Sequence, residues 1–185
     1  MTTRIQNTFA DKKKKLVTFV TGGDPNDNLS EEILKTIIKN GADIIEIGMP
    51  FSDPMADGPT IQLSSNRSLK SGTNLENIFV TCKNLRKLDD NIPIILMGYY
   101  NVILNYGINE FTNKCAKVGI DGVIVVDLQP EEDPELNQSL KKHKIDLIRL
   151  ITPNSTDERI KIISNNASGF LYYVTVTGIT GQNSA

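Results

Sequence analysis

The chain has 185 residues, of which 39% are hydrophobic, and 20 basic residues against 22 acidic ones give a formal net charge of −2. This balance excludes a strongly charged surface for nucleic acid or anionic membranes. No apolar run approaches the ~20 residues of a membrane span, and the N-terminus lacks the apolar segment of a secretory signal. The length predicts one domain over residues 1–185. We therefore expect a soluble, globular, cytoplasmic protein.

Short apolar runs rich in β-branched residues recur along the chain and predict six strands. Their nearly continuous apolar character is typical of strands covered on both faces, as in parallel sheets. The six runs are Leu16–Val20, Asp43–Ile47, Ile94–Met97, Val123–Val126, Asp146–Ile151 and Phe170–Val174.

Helical patterns lie between these runs. Ser30 is a candidate N-cap for the first helix, and Pro134 is a candidate first residue of the fourth. Gly41 and Gly119 are placed to end helices. Apolar residues at helical spacing mark five helices: Ile33, Leu34, Ile37 and Ile38; Ile78, Phe79, Cys82 and Leu85; Phe111, Cys115 and Val118; Leu136 and Leu140; Ile160, Ile162 and Ile163. The pattern is a repeated β-α unit that ends on a sixth strand.

Two architectures fit a repeated β-α unit, an open doubly wound sheet and a closed (β/α)8 barrel. Length alone favours the open sheet, because a barrel needs eight units. The turn after the first strand, Thr21-Gly22-Gly23-Asp24-Pro25, lacks the GxGxxG fingerprint of dinucleotide-binding sheets. The residues of the strands leave both architectures open.

Glu46 lies inside a buried type of strand and shares a face with Ile44 and Gly48. A carboxyl group there is costly unless it is paired or neutral, and burial raises its pKa towards the range of a proton-transfer group. Pairing with an unseen Lys or Arg is the structural alternative. Asp57 follows in a Pro- and Gly-rich loop that can fold back over the strand, whereas Asp53 reads as an ordinary turn residue. Two carboxyl groups in different surroundings can act as an acid and a fixed anion.

Other polar residues carry weaker signals. Gly178–Gly181 follow the sixth strand and could present backbone N–H groups to a phosphate. Tyr172 and Tyr173 face opposite ways, so one of them could reach a ligand. The single histidine, His143, is predicted to lie at a solvated helix end. Cys82 and Cys115 are predicted to be core residues. We expect no metal site.

The segment EIGMPFSDPMADGPTIQ, residues 46–62, resembles the signature of the tryptophan synthase α subunit family. Shorter segments extend the resemblance along the chain: Phe19–Pro25, Met97–Asn101, Tyr106-Gly107, Asp121-Gly122, Asp127-Leu128, Glu131-Glu132 and Tyr172–Gly181. The resemblance implies a TIM-type (β/α)8 barrel, here truncated to about six βα units.

The resemblance also implies a function, the retro-aldol cleavage of indole-3-glycerol phosphate to indole and glyceraldehyde 3-phosphate in tryptophan biosynthesis. It implies no cofactor in this chain and a partner, the pyridoxal-phosphate β subunit, in an α2β2 complex. If the gene were plastid-encoded, the compartment would be the plastid stroma.

Site residues follow from the resemblance position by position. Glu46 corresponds to the acid–base glutamate and Asp57 to the aspartate that hydrogen-bonds the indole N–H. Phe19 corresponds to a residue lining the indole pocket and Tyr172 to a tyrosine near the substrate hydroxyl. In the loop after the sixth strand, Thr180 corresponds to the threonine that holds the aspartate, and Gly181 to a phosphate contact.

The sequence departs from the family pattern in three places. Gln129 and Val102 stand where proline is usual, and Gln129 is expected to loosen its loop. The two further βα units of the family, with the phosphate-binding loops after strands seven and eight, are absent from the 185 residues. Three alternatives therefore stay open: a truncated, non-catalytic fragment that binds the β subunit, a stand-alone indole-3-glycerol phosphate lyase and, more distantly, a sugar-phosphate isomerase on the same fold.

Overall fold

Six parallel strands form the framework of the protein in the computed structural model, which describes residues 2–175. The strands are β1 Val17–Thr21, β2 Ile44–Gly48, β3 Ile94–Gly98, β4 Gly122–Val125, β5 Asp146–Ile151 and β6 Leu171–Tyr173. Each predicted strand is present, and the bounds shift by no more than a few residues.

The strands are ordered β1-β2-β3-β4-β5-β6, so every strand pairs in parallel with its neighbours in the chain. The register places Phe19 opposite Glu46, and Glu46 opposite Ile95. A doubly wound sheet would reverse its strand order at a switch point, and this sheet does not. The consecutive order is that of a barrel wall, here six strands of it, which confirms the truncated barrel.

Eight α-helices and one 3-10 turn accompany the strands within residues 2–175. They are α1 Arg4–Phe9, α2 Asp27–Lys39, α3 Pro59–Lys70, α4 Leu75–Leu88, α5 Tyr100–Tyr106, α6 Ile108–Val118, α7 Pro134–Lys142 and α8 Asp157–Asn165, with the 3-10 turn at Pro130–Glu132. The five helices expected from apolar spacing are α2, α4, α6, α7 and α8. The other three were not predicted.

Apolar residues pack on both faces of the sheet. The outer layer lies between the sheet and the helices and includes Leu34, Phe79 and Phe111. The inner layer fills the concave face with one isoleucine from each of four strands and one from α1: Ile5, Ile44, Ile95, Ile124 and Ile148. Helix α1 therefore closes the end of the sheet where the strands begin and leaves the other end open.

The N-cap predicted for α2 at Ser30 is wrong. The helix begins four residues earlier than predicted, with Asn26 as N-cap accepting a hydrogen bond from the Leu29 N–H. Ser30 is buried inside the helix, where its hydroxyl accepts a hydrogen bond of 2.9 Å from the Gly23 N–H. Its polar side chain serves the turn after β1 rather than the start of the helix.

The loop at Gln129, which is expected to be loosened by the absence of proline, is attached to α8 by side-chain contacts. The Gln129 side chain accepts a hydrogen bond from Arg159 on α8, and Glu131 pairs with the same guanidinium. These contacts hold the loop after β4 without the conformational restriction of a proline.

The expectations for histidine and cysteine are confirmed. His143 caps the C-terminal end of α7 at the surface, and Cys82 and Cys115 are buried free thiols. Residues 2–175 contain no cluster of His, Cys, Asp and Glu suited to a metal ion. None of the helices in this part of the chain combines the length and the apolar character that a membrane span requires.

Candidate active site

A cavity of about 210 Å³ opens at the carboxyl end of the strands, opposite the end closed by α1. This is the face of a barrel where active sites lie. Its lining includes Phe19 and Thr21 from β1, Glu46 and Gly48 from β2, Met97 and Gly98 from β3, Val126, Tyr172 from β6, and Met49, Asp57, Ile61, Ser65 and Tyr99 from the segments that follow β2 and β3. The structure therefore brings Phe19, Glu46, Asp57 and Tyr172 to one cavity, as the sequence predicted.

Glu46 is the most isolated charged group in this cavity. Only 2% of the residue is exposed, and Oε1 makes no hydrogen bond with any residue that the structure describes. Burial raises the pKa of Glu46 to about 7. The structural alternative, a buried ion pair, is not found among the described residues. A carboxyl group with this pKa can both donate and accept a proton at neutral pH.

Asp57 reaches the same cavity from the loop between β2 and α3. Its Oδ2 accepts a hydrogen bond of 2.9 Å from the Tyr99 hydroxyl, and Tyr99 accepts in turn from the Ala56 N–H at 3.0 Å. Partial burial raises the pKa of Asp57, and the hydrogen bond from Tyr99 opposes that rise because it stabilises the charged form. The two carboxyl groups therefore differ, since Asp57 has a donor that favours its anion.

The apolar wall next to Glu46 depends on a glycine. A Cβ atom at Gly48 would lie 2.6 Å from Phe19 Cζ, so the Phe19 ring occupies the space that a side chain at position 48 would need. The absence of a side chain at position 48 therefore leaves room for the Phe19 ring, whose residue pairs with Glu46 across the sheet. Across the cavity, burial and the neighbouring Glu46 charge raise the pKa of Tyr172, which keeps its hydroxyl protonated.

The structure does not place the remaining residues considered in the sequence at this cavity. Thr180 and Gly181 lie outside the described residues. Asp53 is exposed and accepts a hydrogen bond from the Ser52 hydroxyl, as expected of a turn residue.

Tyr99 and Thr21 are among the cavity residues that sequence reasoning missed. Tyr99 lies in a segment noted only for its resemblance, and Thr21 lies in the turn noted for lacking the dinucleotide fingerprint. Neither type of residue indicates a role by itself. The available signal was position, because each stands at the carboxyl end of a strand, the edge at which barrel sites are built.

The family model described as tryptophan synthase alpha chain matches residues 5–185. The tryptophan synthase alpha chain of Geotalea daltonii is 50% identical over 186 residues, covering 98% of this chain and 70% of that protein. The alpha chain of Novosphingobium aromaticivorans is 48% identical over 183 residues, covering 99% and 69%.

Solved structures agree with these relatives. The tryptophan synthase subunit alpha of Legionella pneumophila matches with a TM-score of 0.90 and 38% identity, over 95% of this chain and 68% of that one. A chain from the tryptophan synthase α2β2 complex of Pyrococcus furiosus matches with a TM-score of 0.83 and 38% identity, over 88% and 68%. The family model, the relatives and the solved structures agree, and the signature loop carries Asp57 to the same cavity as Glu46. The chain therefore belongs to the tryptophan synthase alpha chain family.

Proposed function

We propose that this chain is a lyase that cleaves indole-3-glycerol phosphate to indole and glyceraldehyde 3-phosphate, as the alpha subunit of tryptophan synthase. One observation carries the proposal: a single apolar cavity contains an isolated carboxyl group with a pKa of about 7 and a second carboxyl group held by a tyrosine hydroxyl. Retro-aldol cleavage of the bond between an indole ring and its glycerol side chain needs one group that moves protons and one that stabilises positive charge.

In the first step the protonated Glu46 donates its proton to carbon 3 of the indole ring. The ring then carries a positive charge that is shared with its nitrogen. Asp57, as an anion, accepts the hydrogen bond of the indole N–H and stabilises this charge. The low polarity of the cavity strengthens the interaction, since few other groups compete for it.

In the second step the Glu46 carboxylate removes the proton from the glycerol hydroxyl next to the ring. The C–O bond becomes a carbonyl, the C–C bond to the ring breaks, and its electron pair neutralises the ring to give indole. Glu46 ends the cycle protonated, as it began. Positioned proton transfer of this kind typically contributes ~10²–10⁴-fold in rate.

The other site residues bind the substrate. Phe19 presents its ring to the apolar part of the cavity and supports the indole, and Tyr172 directs its hydroxyl towards the substrate hydroxyl. For Thr180 and Gly181 we propose the roles implied by the family, which are to hold Asp57 in the closed site and to contact the phosphate.

The reaction steps use only side chains of this chain, so we propose that the alpha chain works without its own cofactor. The partner is the tryptophan synthase beta subunit, which carries pyridoxal phosphate and receives the indole. The solved structure from Pyrococcus furiosus is described as a tryptophan synthase α2β2 complex, which supports this pairing. We propose that residues 1–185 act as one partial barrel domain, in the cytoplasm or in the plastid stroma if the gene is plastid-encoded.

A non-catalytic role is the second candidate, and one observation favours it. Within residues 2–175, β1 and β6 each pair on one side only, so the described sheet does not close around the cavity. In that role the chain binds the beta subunit and modulates its reaction without cleaving indole-3-glycerol phosphate. A stand-alone lyase would use the same residues and differ only in being indifferent to the beta subunit.

The test measures indole release from indole-3-glycerol phosphate by the chain alone and after mixing with beta subunit. We expect release that Glu46→Gln lowers by about 10²-fold or more. The exposed Glu132→Gln is the matched control and is expected to keep full activity. Stimulation of the beta subunit's serine chemistry without any indole release would establish the non-catalytic role instead. Full activity of the Glu46→Gln variant would overturn the mechanism.

A further inference from the structure

Helix α3 differs from the other long helices in how it is held. Helices α2, α4, α6 and α7 pack side by side along the outer face of the sheet, whereas the main contact of α3 is with β1. Its buried residues are three serines, Ser64, Ser65 and Ser68, and its large residues Leu63 and Leu69 are exposed. Burial of apolar surface therefore contributes little to its position, so polar contacts must fix it.

These contacts join α3 to the end of β1 and the turn that follows. The hydroxyl groups of Ser64 and Thr21 are hydrogen-bonded at 2.7 Å, and both residues are buried. One turn later, the Ser68 hydroxyl donates to the Gly22 carbonyl at 2.6 Å. At the surface, Arg67 makes two hydrogen bonds of 2.7 Å to Asp24.

The direction of the Thr21–Ser64 hydrogen bond follows from the number of protons. A hydroxyl has one hydrogen to donate. If Ser64 donated to Thr21, the Thr21 hydrogen would have no acceptor among the described residues. When Ser64 donates to the Ile61 carbonyl at 2.9 Å and Thr21 donates to Ser64, both hydroxyl hydrogens have an acceptor. Thr21 is therefore the donor that ties the barrel wall to α3.

Helix α3 in turn holds the loop that carries Asp57. The helix begins at Pro59, two residues after Asp57, and the Gln62 side chain donates to the Asp57 carbonyl at 2.7 Å. The Asp57 carboxylate is held separately by Tyr99 at the end of β3. A displacement of α3 would move the backbone of Asp57 relative to Tyr99 and the cavity.

We propose that Thr21 is a positioning residue for Asp57, and that it acts through its hydrogen bond to Ser64 and the resulting placement of α3 over the end of β1. The inference rests on the proposed function for the role of Asp57, while the contact between Thr21 and α3 does not depend on it. Thr21 also lines the cavity, so its hydroxyl links the wall of the site to the loop above it.

The first test measures backbone amide exchange in α3, which requires no activity. Thr21→Val keeps the shape of the side chain and removes the donor, and Ser64 keeps its own bond to Ile61, so no buried donor is left unpaired. We expect exchange of the amides of residues 61–65 to rise roughly fivefold, the equivalent of one ordinary hydrogen bond. Thr21→Ser, which keeps the hydroxyl, should show the exchange rates of the wild type. Unchanged rates in Thr21→Val would overturn the proposal.

Thr18→Val is the matched control, since Thr18 lies on the opposite face of the same strand. Its hydroxyl makes no hydrogen bond with the residues that the structure describes. The same substitution at this position should leave exchange in α3 unchanged. A rise as large as that of Thr21→Val would mean that β1, and not the hydroxyl bond, controls α3, and would also overturn the proposal.

The second test separates positioning from general stability. If Thr21 acts through Asp57, Asp57→Asn should lower kcat/KM by a smaller factor in the Thr21→Val background than in the wild type. If Asp57→Asn lowers kcat/KM by the same factor in both backgrounds, Thr21 does not act through Asp57. Absence of turnover in the wild type would instead contradict the proposed function, and the exchange result would then decide this inference alone.

Discussion

At the scale of single residues, the site depends on two carboxyl groups with unequal surroundings. Glu46 is surrounded by apolar groups and has a pKa raised to about 7, whereas Asp57 accepts a hydrogen bond from Tyr99. In the proposed mechanism this difference lets Glu46 move protons while Asp57 keeps its charge.

Tyr99→Phe tests the donor to Asp57. Loss of the hydroxyl removes the bond that favours the anion, so the pKa of Asp57 should rise further. Since Asp57 acts as an anion in the proposed mechanism, the acidic limb of the kcat/KM profile should move to higher pH, and kcat/KM at neutral pH should fall by about 10-fold or more. The neighbouring Tyr100→Phe is the control. An unshifted acidic limb in Tyr99→Phe would contradict the role of the hydroxyl.

Glu46→Gln is predicted to change stability in a pH-dependent way. Burial raises the folded-state pKa of Glu46 from 4.5 to about 7, so the folded protein holds a proton that the unfolded chain has lost between these values. Wild-type stability therefore falls as pH rises through this window, by up to about 3 kcal/mol, while the glutamine variant avoids this loss.

Urea unfolding at pH 5 and pH 8 measures the effect. The stability of Glu46→Gln relative to wild type should increase between the two pH values, and the exposed Glu132→Gln should show a much smaller change. A relative stability that is the same at both pH values would mean that Glu46 does not carry a raised pKa.

At the scale of elements, a buried arginine connects β5 to the loop after β4. Arg149 points into the apolar outer layer, donates to the Leu128 carbonyl at 3.0 Å and pairs with Asp133 at the start of α7. Both charged groups are almost fully buried. Since a buried charge without its partner is costly, the pair fixes the path of the chain from β4 to α7.

We expect Arg149→Leu to lower the free energy of unfolding by about 3–5 kcal/mol, because it leaves Asp133 buried without a counter-charge. The double variant with Asp133→Asn should lose less than the sum of the two single variants. Arg159→Leu, which removes an exposed ion pair from the same loop, should cost less than about 1 kcal/mol. Urea unfolding measures these free energies. Losses that add exactly in the double variant would contradict the coupling between Arg149 and Asp133.

At the scale of the whole molecule, the described sheet has two edges. Leu171 and Tyr173 on the outer face of β6 are 39% and 54% exposed, and the edge of β1 is also unpaired among residues 2–175. Free strand edges beside apolar side chains favour association with other chains. This property follows from the extent of the sheet and not from any one residue.

The 185-residue chain is therefore expected to self-associate as its concentration rises. Leu171→Lys should reduce the association, because a charge beside the edge of β6 opposes pairing. The exposed Val80→Lys on α4, a helix that packs between α2 and α6 and not at an edge of the sheet, is the control and should behave like wild type. Light scattering after size exclusion gives the mass, and a wild-type mass that stays monomeric at every concentration would contradict the prediction.

The strands and the five helices of the outer layer were predictable because each buries an apolar face with the matching period. Helix α3 was not, since its buried positions are serines and its apolar residues Leu63 and Leu69 are exposed. Helices α1 and α5 are too short to display a helical period. The missed elements are thus those whose positions depend on polar or end contacts.

The sequence by itself determined the β-α repeat, the family and the choice of Glu46 and Asp57, because apolar periodicity and a long motif are local properties of the chain. Only the tertiary structure decided that the strands run in consecutive order, that Glu46 has no partner among the described residues, and that Tyr99 and Thr21 hold Asp57 and α3. The last two contacts join residues more than 40 positions apart, 42 for Tyr99 with Asp57 and 43 for Thr21 with Ser64. Hydrogen bonds over such separations form only when the sheet has assembled, so no local pattern encodes them.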